Sequence, residues 1–327
     1  MRSSVKAIAG YTCAFALAVT GCSQGLGRPA GSTGRATTYA PYVSATGASA
    51  TDSEGSPADY NLAFVISGGG GCTPKWNGTE AIGDSEVRSR IARLEKGGAG
   101  VRVSFGGASG KELATACDSV PELATAYARA LDAAGTNQAD FDVEGDGLTD
   151  SAATARRSRA IARLQKERPG LEVSFTLPVM PSGLDAQGLA LLESANTYDV
   201  QVSTVNLMTM NYGESYDGDM GGYAVSSAKA AHAQLRRVFG LSDAGAWQGM
   251  ALTSMLGVND VAGETFTLSD AARVRRFAAR EGIAWVSMWA TFRDRPCEDG
   301  ESGQDDAATD CSGVEQGAGA FAEAFAG

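Results

Sequence analysis

The stretch QADFDVEGDGLTDSAATARRSRAIARLQKERPGLEVSFTL, residues 138–177, contains a complete strand–helix–strand unit. Successive side chains of an extended chain point to opposite faces. Over 138–144 this puts Asp140, Asp142 and Glu144 on one face and Ala139, Phe141 and Val143 on the other. Residues 151–168, rich in Ala, Leu and Arg, read as a helix, and 171–177 as a second short apolar strand. A strand, a helix and a strand in this order predict two parallel strands joined by a right-handed crossover.

The unit repeats in both directions. Strand-like runs fall at 38–43, 60–67, 100–105, 138–144, 171–177, 203–210, 249–255 and 283–289. Helical patterns fall at 85–96, 120–134, 151–168, 186–195, 226–238, 269–281 and 313–325. Residues 44–58, rich in Ser, Gly and Ala, predict no helix between the first two strands. Length alone allows two domains, but eight repeats over roughly 290 residues predict an α/β fold, a single-domain (β/α)8 TIM barrel over 38–327. In such a barrel chemistry sits at the C-terminal ends of the strands.

The first residues read as an address. Arg2 and Lys6 precede an apolar run over 7–19 that is too short to span a bilayer stably. It ends Val19-Thr20-Gly21-Cys22, which resembles a bacterial lipobox. That resemblance implies a signal peptide over 1–21 and lipid attachment at Cys22; ordinary cleavage near Gly21 is the alternative. Residues 22–37, rich in Gly, Ser and Thr, read as a flexible tether. The expectation is an exported protein, anchored at the cell surface through Cys22 or secreted, touching membrane only through that anchor.

Composition excludes several functions. Against 38 acidic residues stand 27 Lys and Arg, a net charge of −11, so nucleic acid is not an expected partner. A single histidine, His232, rules out a multi-His metal site and reads as a surface or packing residue. Of six cysteines, Cys13 goes with the signal and Cys22 is the anchor. Four remain in an exported domain, which suggests two disulfides. Three pairings are possible; Cys297–Cys311 closes a short loop and makes Cys72–Cys117 the natural second pair. Six acids lie between Cys297 and Cys311 and read as a solvated loop, with Ca²⁺ binding the other use of such a cluster.

Three carboxylates directed into a barrel have no cheap structural explanation, because buried like charges raise one another's pKa. A solvated acidic edge strand or a Mg²⁺ or Ca²⁺ site are the other uses of the pattern. The segment resembles the D-x-x-D-x-D-x-E strand of glycoside hydrolase family 18, the chitinases, with Asn137 in place of the first acid. Ser104-Phe105-Gly106-Gly107 is similar to that family's S-x-G-G. Met208-Thr209-Met210-Asn211-Tyr212 is similar to its M-x-Y-D region, Met210 and Asn211 departing from the Tyr-Asp pair. Trp289 falls where the family carries a tryptophan beneath the reacting sugar, and 255–260 resembles the seventh strand end of a bacterial and archaeal chitinase subgroup.

The resemblance implies a chitinase that hydrolyses β-1,4-linked N-acetylglucosamine polymers or oligomers with retention, through an oxazolinium ion. Glu144 would be the general acid. Asp142 would orient the acetamide, Asp140 would share a proton with Asp142, and Tyr212 would donate to the acetamide carbonyl. Trp289, Met210, Asn211, Asp260, Ser104, Gly106 and Gly107 would contact sugar. Tyr212 and Trp289 as barrel packing, Asp260 as a turn residue and Trp76 as either a sugar platform or a core residue are the structural readings of the same positions. No cofactor or metal is expected, and the chain is expected to be a monomer. A glycan-binding barrel without activity and an endo-β-N-acetylglucosaminidase are the alternative functions.

Overall fold

The computed structural model describes residues 36–298 and 310–327. The signal, Cys22, nearly all of the tether and most of the acidic loop before Cys311 lie outside the described residues.

Eight parallel strands form a ring. The first, β1, is in two pieces, Thr38–Tyr39 and Tyr42–Ser44, parted at Ala40-Pro41. It is followed by β2 (Asp59–Ser67), β3 (Gly100–Gly106), β4 (Gln138–Asp142), β5 (Glu172–Pro178), β6 (Thr204–Met208), β7 (Met250–Met255) and β8 (Trp285–Trp289). Each of β2 to β8 pairs in parallel with the next. The first piece of β1 pairs with β8 and the second with β2, so the ladder returns on itself through β1.

Helices pack outside the ring: α1 (Ser85–Glu95), α2 (Val120–Ala134), α3 (Ser151–Glu167), α4 (Ala186–Thr197), α5 (Met220–Phe239), α6 (Leu268–Glu281) and α7 (Ala320–Ala326). Local chemistry sets their ends. Asp84, Ser119, Asp150, Asp185, Asp219 and Thr267 accept backbone N–H bonds at the first turns of α1 to α6. Gly135, Gly240 and Gly282 end α2, α5 and α6 in the left-handed conformation. No helix follows β1. Two expected helices differ in extent: α5 begins six residues earlier than its periodicity predicts, and the expected 313–325 shrinks to α7.

Register explains the faces of β4. Phe105, Phe141 and Phe175 are partners across β3, β4 and β5, and Tyr127 of α2 packs its ring against the first two. All four are buried. This outward row is the apolar half of the alternation, and burying each ring stabilises the fold by about 2 kcal/mol. The inward half begins with Ser104, Asp140 and Ser174 in one register row, with Gly106, Asp142 and Thr176 in the next toward the C-terminal ends.

Both expected disulfides are present, Cys72–Cys117 and Cys297–Cys311. The first ties the loop after β2 to the segment after β3. His232 is buried on α5, its ring stacked on Trp247 with centroids 3.9 Å apart and Nε2 in contact with the Asp243 carbonyl. Trp76 is fully buried and donates to the Ile82 carbonyl, which settles it as a core residue.

Candidate active site

Asp140 lies deepest of the three acids. Its Oδ2 accepts from Tyr42 (3.0 Å) and Ser104 (2.6 Å), and its Oδ1 from Ser174 (2.7 Å) and Thr176 (2.8 Å). Four hydroxyls from three strands thus surround one carboxylate. Asn206 and Thr253 extend the network toward β7. With both oxygens fully engaged, Asp140 makes no hydrogen bond to Asp142. The sequence reading pairs Asp142 with Asp140; in the structure the hydrogen-bonded partner of Asp142 is Glu144.

Asp142 is buried and has no hydroxyl cage. Its Oδ1 has no hydrogen-bond partner. Burial pushes its pKa well above the usual carboxylate range, and the charges of Glu144 and Asp140 and a hydrogen bond to Glu144 push it further. Glu144 stands just beyond the end of β4, as the residue before the short helix Gly145–Thr149, not within the strand. Its backbone is still extended, so the alternation persists. Burial raises its pKa, the bond from Asp142 lowers it, and the charge of Asp260 raises it, with a net rise. Two acids that resist ionising together hold one proton between them.

The cavity at this end of the ring is lined by Asp142, Glu144, Thr176, Met210, Asn211, Asp260 and Trp289, together with Tyr42, Phe64, Ala108, Met208, Thr253 and Met255. Phe64 stacks on Trp289 with centroids 5.4 Å apart and planes 16° apart. These aromatic rings give the cavity an apolar wall beside its acids. The sequence reading missed Tyr42 and Phe64. Both lie on predicted strands, and Tyr42, at the end of the apolar run 38–43, is the signal in the sequence for an inward aromatic at that strand end.

Other expected residues lie elsewhere. Tyr212 does not line the cavity: β6 ends at Met208, Asn211 adopts a φ of +55°, and alternation is lost before residue 212. The Tyr212 ring packs with Tyr216 and Tyr223, and its hydroxyl accepts a 3.5 Å bond from Ser227 of α5. Burial raises its pKa. Ser104 lies under the cavity, committed to Asp140. Gly106, at φ +102°, lets β3 approach β4 so closely that a Cβ there would stand 2.0 Å from the Asp142 carbonyl oxygen. Gly107 lines an adjoining polar pocket that shares Asp142 and Glu144 with the cavity and adds Lys111, Glu112, Asp146 and Asp150. Asn137 is at the opposite end of β4, where it accepts from the Arg168 guanidinium, so its departure from the acidic motif does not touch the cavity.

A parallel eight-stranded ring with a hydrogen-bonded acid pair and an aromatic wall at its C-terminal mouth has the architecture of the (β/α)8 glycoside hydrolases. No family model matches the chain. It is 34% identical over 277 residues to a probable bifunctional chitinase/lysozyme of Escherichia coli, covering 79% of this chain and 31% of that protein. It is 33% identical over 277 residues to endochitinase 11 of Metarhizium anisopliae, covering 79% and 52%. The chain therefore spans about a third and about half of the lengths of these relatives. The catalytic domain of a hyperthermophilic chitinase from Pyrococcus furiosus superimposes with a TM-score of 0.78 at 26% identity, covering 89% of this chain and 94% of that one. A family 18 chitinase from Pseudoalteromonas aurantia shares the fold, with a TM-score of 0.56 at 14% identity over 78% of this chain and 94% of that one. The chain is thus related in sequence to chitinases and has the fold of a family 18 chitinase catalytic domain.

Proposed function

We propose that the protein is a chitinase acting on β-1,4-linked N-acetylglucosamine oligomers or polymers by a retaining, substrate-assisted reaction. The observation that carries this reading is the Asp142–Glu144 pair: two neighbouring acids whose pKa values are both raised, and a buried Asp142 oxygen without a partner in a residue that lines the cavity. Glu144 gives the shared proton to the glycosidic oxygen as the bond to the anomeric carbon breaks. The acetamido oxygen of the same sugar attacks that carbon and forms a cationic oxazolinium ring. Asp142 accepts the acetamide N–H at its free oxygen. Once the proton has left, both acids are ionised beside the new positive charge, so the repulsion that raised their pKa values becomes stabilisation of the intermediate. Glu144 then takes a proton from water, which attacks from the side that the leaving group vacated, and configuration is retained.

The apolar wall supports a glycan longer than one sugar. Past Trp289 it continues into a cleft lined by Phe64, Phe292, Ile66 and Asn77. Solved chitinases similar to this chain include mutants complexed with chito-oligosaccharides, which supports the same ligand class here. We further propose that the chain works as a monomer, exported and held at Cys22 or released.

Product analysis on N-acetylglucosamine oligomers by ¹H NMR tests the reading. The β-anomer is expected as first product from wild type, with little turnover by Glu144→Gln. Absence of turnover by wild type on any N-acetylated glycan would sink it and leave a glycan-binding barrel.

A further inference from the structure

Glu264 is a buried carboxylate that the proposed reaction does not use. It lies on the hairpin after β7, formed by Gly257–Val258 and Thr265–Phe266, and is 1% exposed. Its Oε2 accepts the Asn211 N–H at 2.7 Å and its Oε1 the Gly213 N–H at 2.9 Å. Asn211 has φ +55° and Gly213 φ +110°. Successive N–H groups of such a backbone form a concavity that takes an anion, and Glu264 fills it. Among the described residues no Lys or Arg pairs with Glu264, so these N–H groups are its compensation for burial. On the same hairpin, the Glu264 carbonyl accepts from the Asn259 N–H at 3.0 Å, next to Asp260.

The consequence lies in what the two joined segments carry. Asn211 and Asp260 both line the cavity that holds Glu144. A non-glycine residue at positive φ needs surroundings that hold it there. The side chain of Glu264 does so for Asn211, while its backbone braces the turn bearing Asp260. We infer that Glu264 is a positioning residue, which locks the loop after β6 to the hairpin after β7 and thereby sets Asn211 and Asp260 against the acid. This rests on the chitinase reading and deepens it.

The charges around Glu144 define the readout. Asp142 comes from β4, with Asp140 one layer beneath it, Asp260 from the hairpin, and Lys111, Glu112 with its ion-pair partner Arg157, Asp146 and Asp150 from around the adjoining pocket. Asp260 is the one whose place depends on Glu264, and its charge holds the Glu144 pKa up. Releasing the hairpin therefore lowers that pKa.

The test uses the full chain, with wild type, Glu264→Gln, Asp260→Asn and the double variant assayed on an N-acetylglucosamine oligomer across pH. For Glu264→Gln, kcat/KM falls about 10- to 100-fold and the alkaline limb of the profile moves to lower pH. Asp260→Asn moves that limb the same way, and the double variant moves it no further than the larger single change. Amide exchange at Asn211 and Gly213 rises while α1 is unaffected. A lower Tm with wild-type kcat/KM and wild-type pH limbs would overturn the inference and leave Glu264 a structural residue. Should Glu264→Gln not fold, Glu264→Asp keeps the charge on a shorter arm: a partial shift of the limb supports the inference, and a wild-type profile with raised exchange at Asn211 overturns it. An inactive wild type is the separate result that removes the chitinase reading itself.

Discussion

Asp140 and Asp142 lie two residues apart on the same face of β4, and both are buried, yet their surroundings are opposite. Asp140 meets four hydroxyl donors, two on each oxygen. Asp142 meets another acid, and one of its oxygens meets nothing. Burial alone therefore does not mark the reacting group. A buried carboxylate surrounded by donors is stable as an anion and serves as a fixed charge and a scaffold. A buried carboxylate beside a like charge, short of donors, keeps a proton that it can pass on.

The contrast breaks most visibly at Glu144. Replacing it with Gln removes the acid that faces Asp142, and kcat falls about 10³-fold or more, measured on an oligomer without an activated leaving group. Asp142→Asn keeps the shape but cannot balance the oxazolinium charge. It lowers kcat by about 10²- to 10³-fold with KM nearly unchanged. A rise in KM at constant kcat would make Asp142 a binding group only.

The same two changes act on stability with a definite sign. Both pKa values are raised in the folded chain. These groups therefore favour folding below the ordinary carboxylate pKa, and that contribution is lost as pH rises through the raised values. Above those values, Asp142→Asn and Glu144→Gln should melt higher than wild type; near about pH 3 the gain should vanish. Calorimetry across pH checks this, and a Tm gain independent of pH would contradict the raised values.

Asp140→Asn inverts the pattern. An amide turns an NH₂ toward two hydroxyls that were donating, and the charge-assisted bonds are lost, so stability falls by about 2 kcal/mol in denaturant titration. The rate falls less than in Asp142→Asn, since the change acts on Asp142 only through charge and placement. Equal rate losses for the two variants would erase the distinction between scaffold and reacting group.

The fold was legible because alternating strands and helices survive as period and composition over the whole body, and because a two-residue period cannot hide three acids on one face. The site was legible only where that period still holds. It carries from Asp140 to Glu144, and fails after Met208, where positive φ at Asn211 turns the chain and sends Tyr212 to the packing side. Depth along the barrel axis was not legible either, so Ser104, one layer too low, read as a sugar contact. Glu264 carries no local signal at all: its role depends on a loop 51 residues away in sequence.

The smallest expected effects test these two displaced residues. Tyr212→Phe loses only weak hydroxyl contacts with Ser227 and Thr209, and its ring stays in the aromatic cluster. Both kcat and KM should then stay within about two-fold of wild type. A larger fall in kcat would return the phenol to the acetamide and imply that the loop after β6 rearranges when sugar binds. Ser104→Ala removes one of the four donors to Asp140. Because the serine touches the scaffold acid and not the cavity, it should cost about 1 kcal/mol of stability while KM stays in place. A raised KM at unchanged stability would put Ser104 back against the substrate. It would also show that the hydroxyl cage, and with it the difference between Asp140 and Asp142, is not what holds the deep acid.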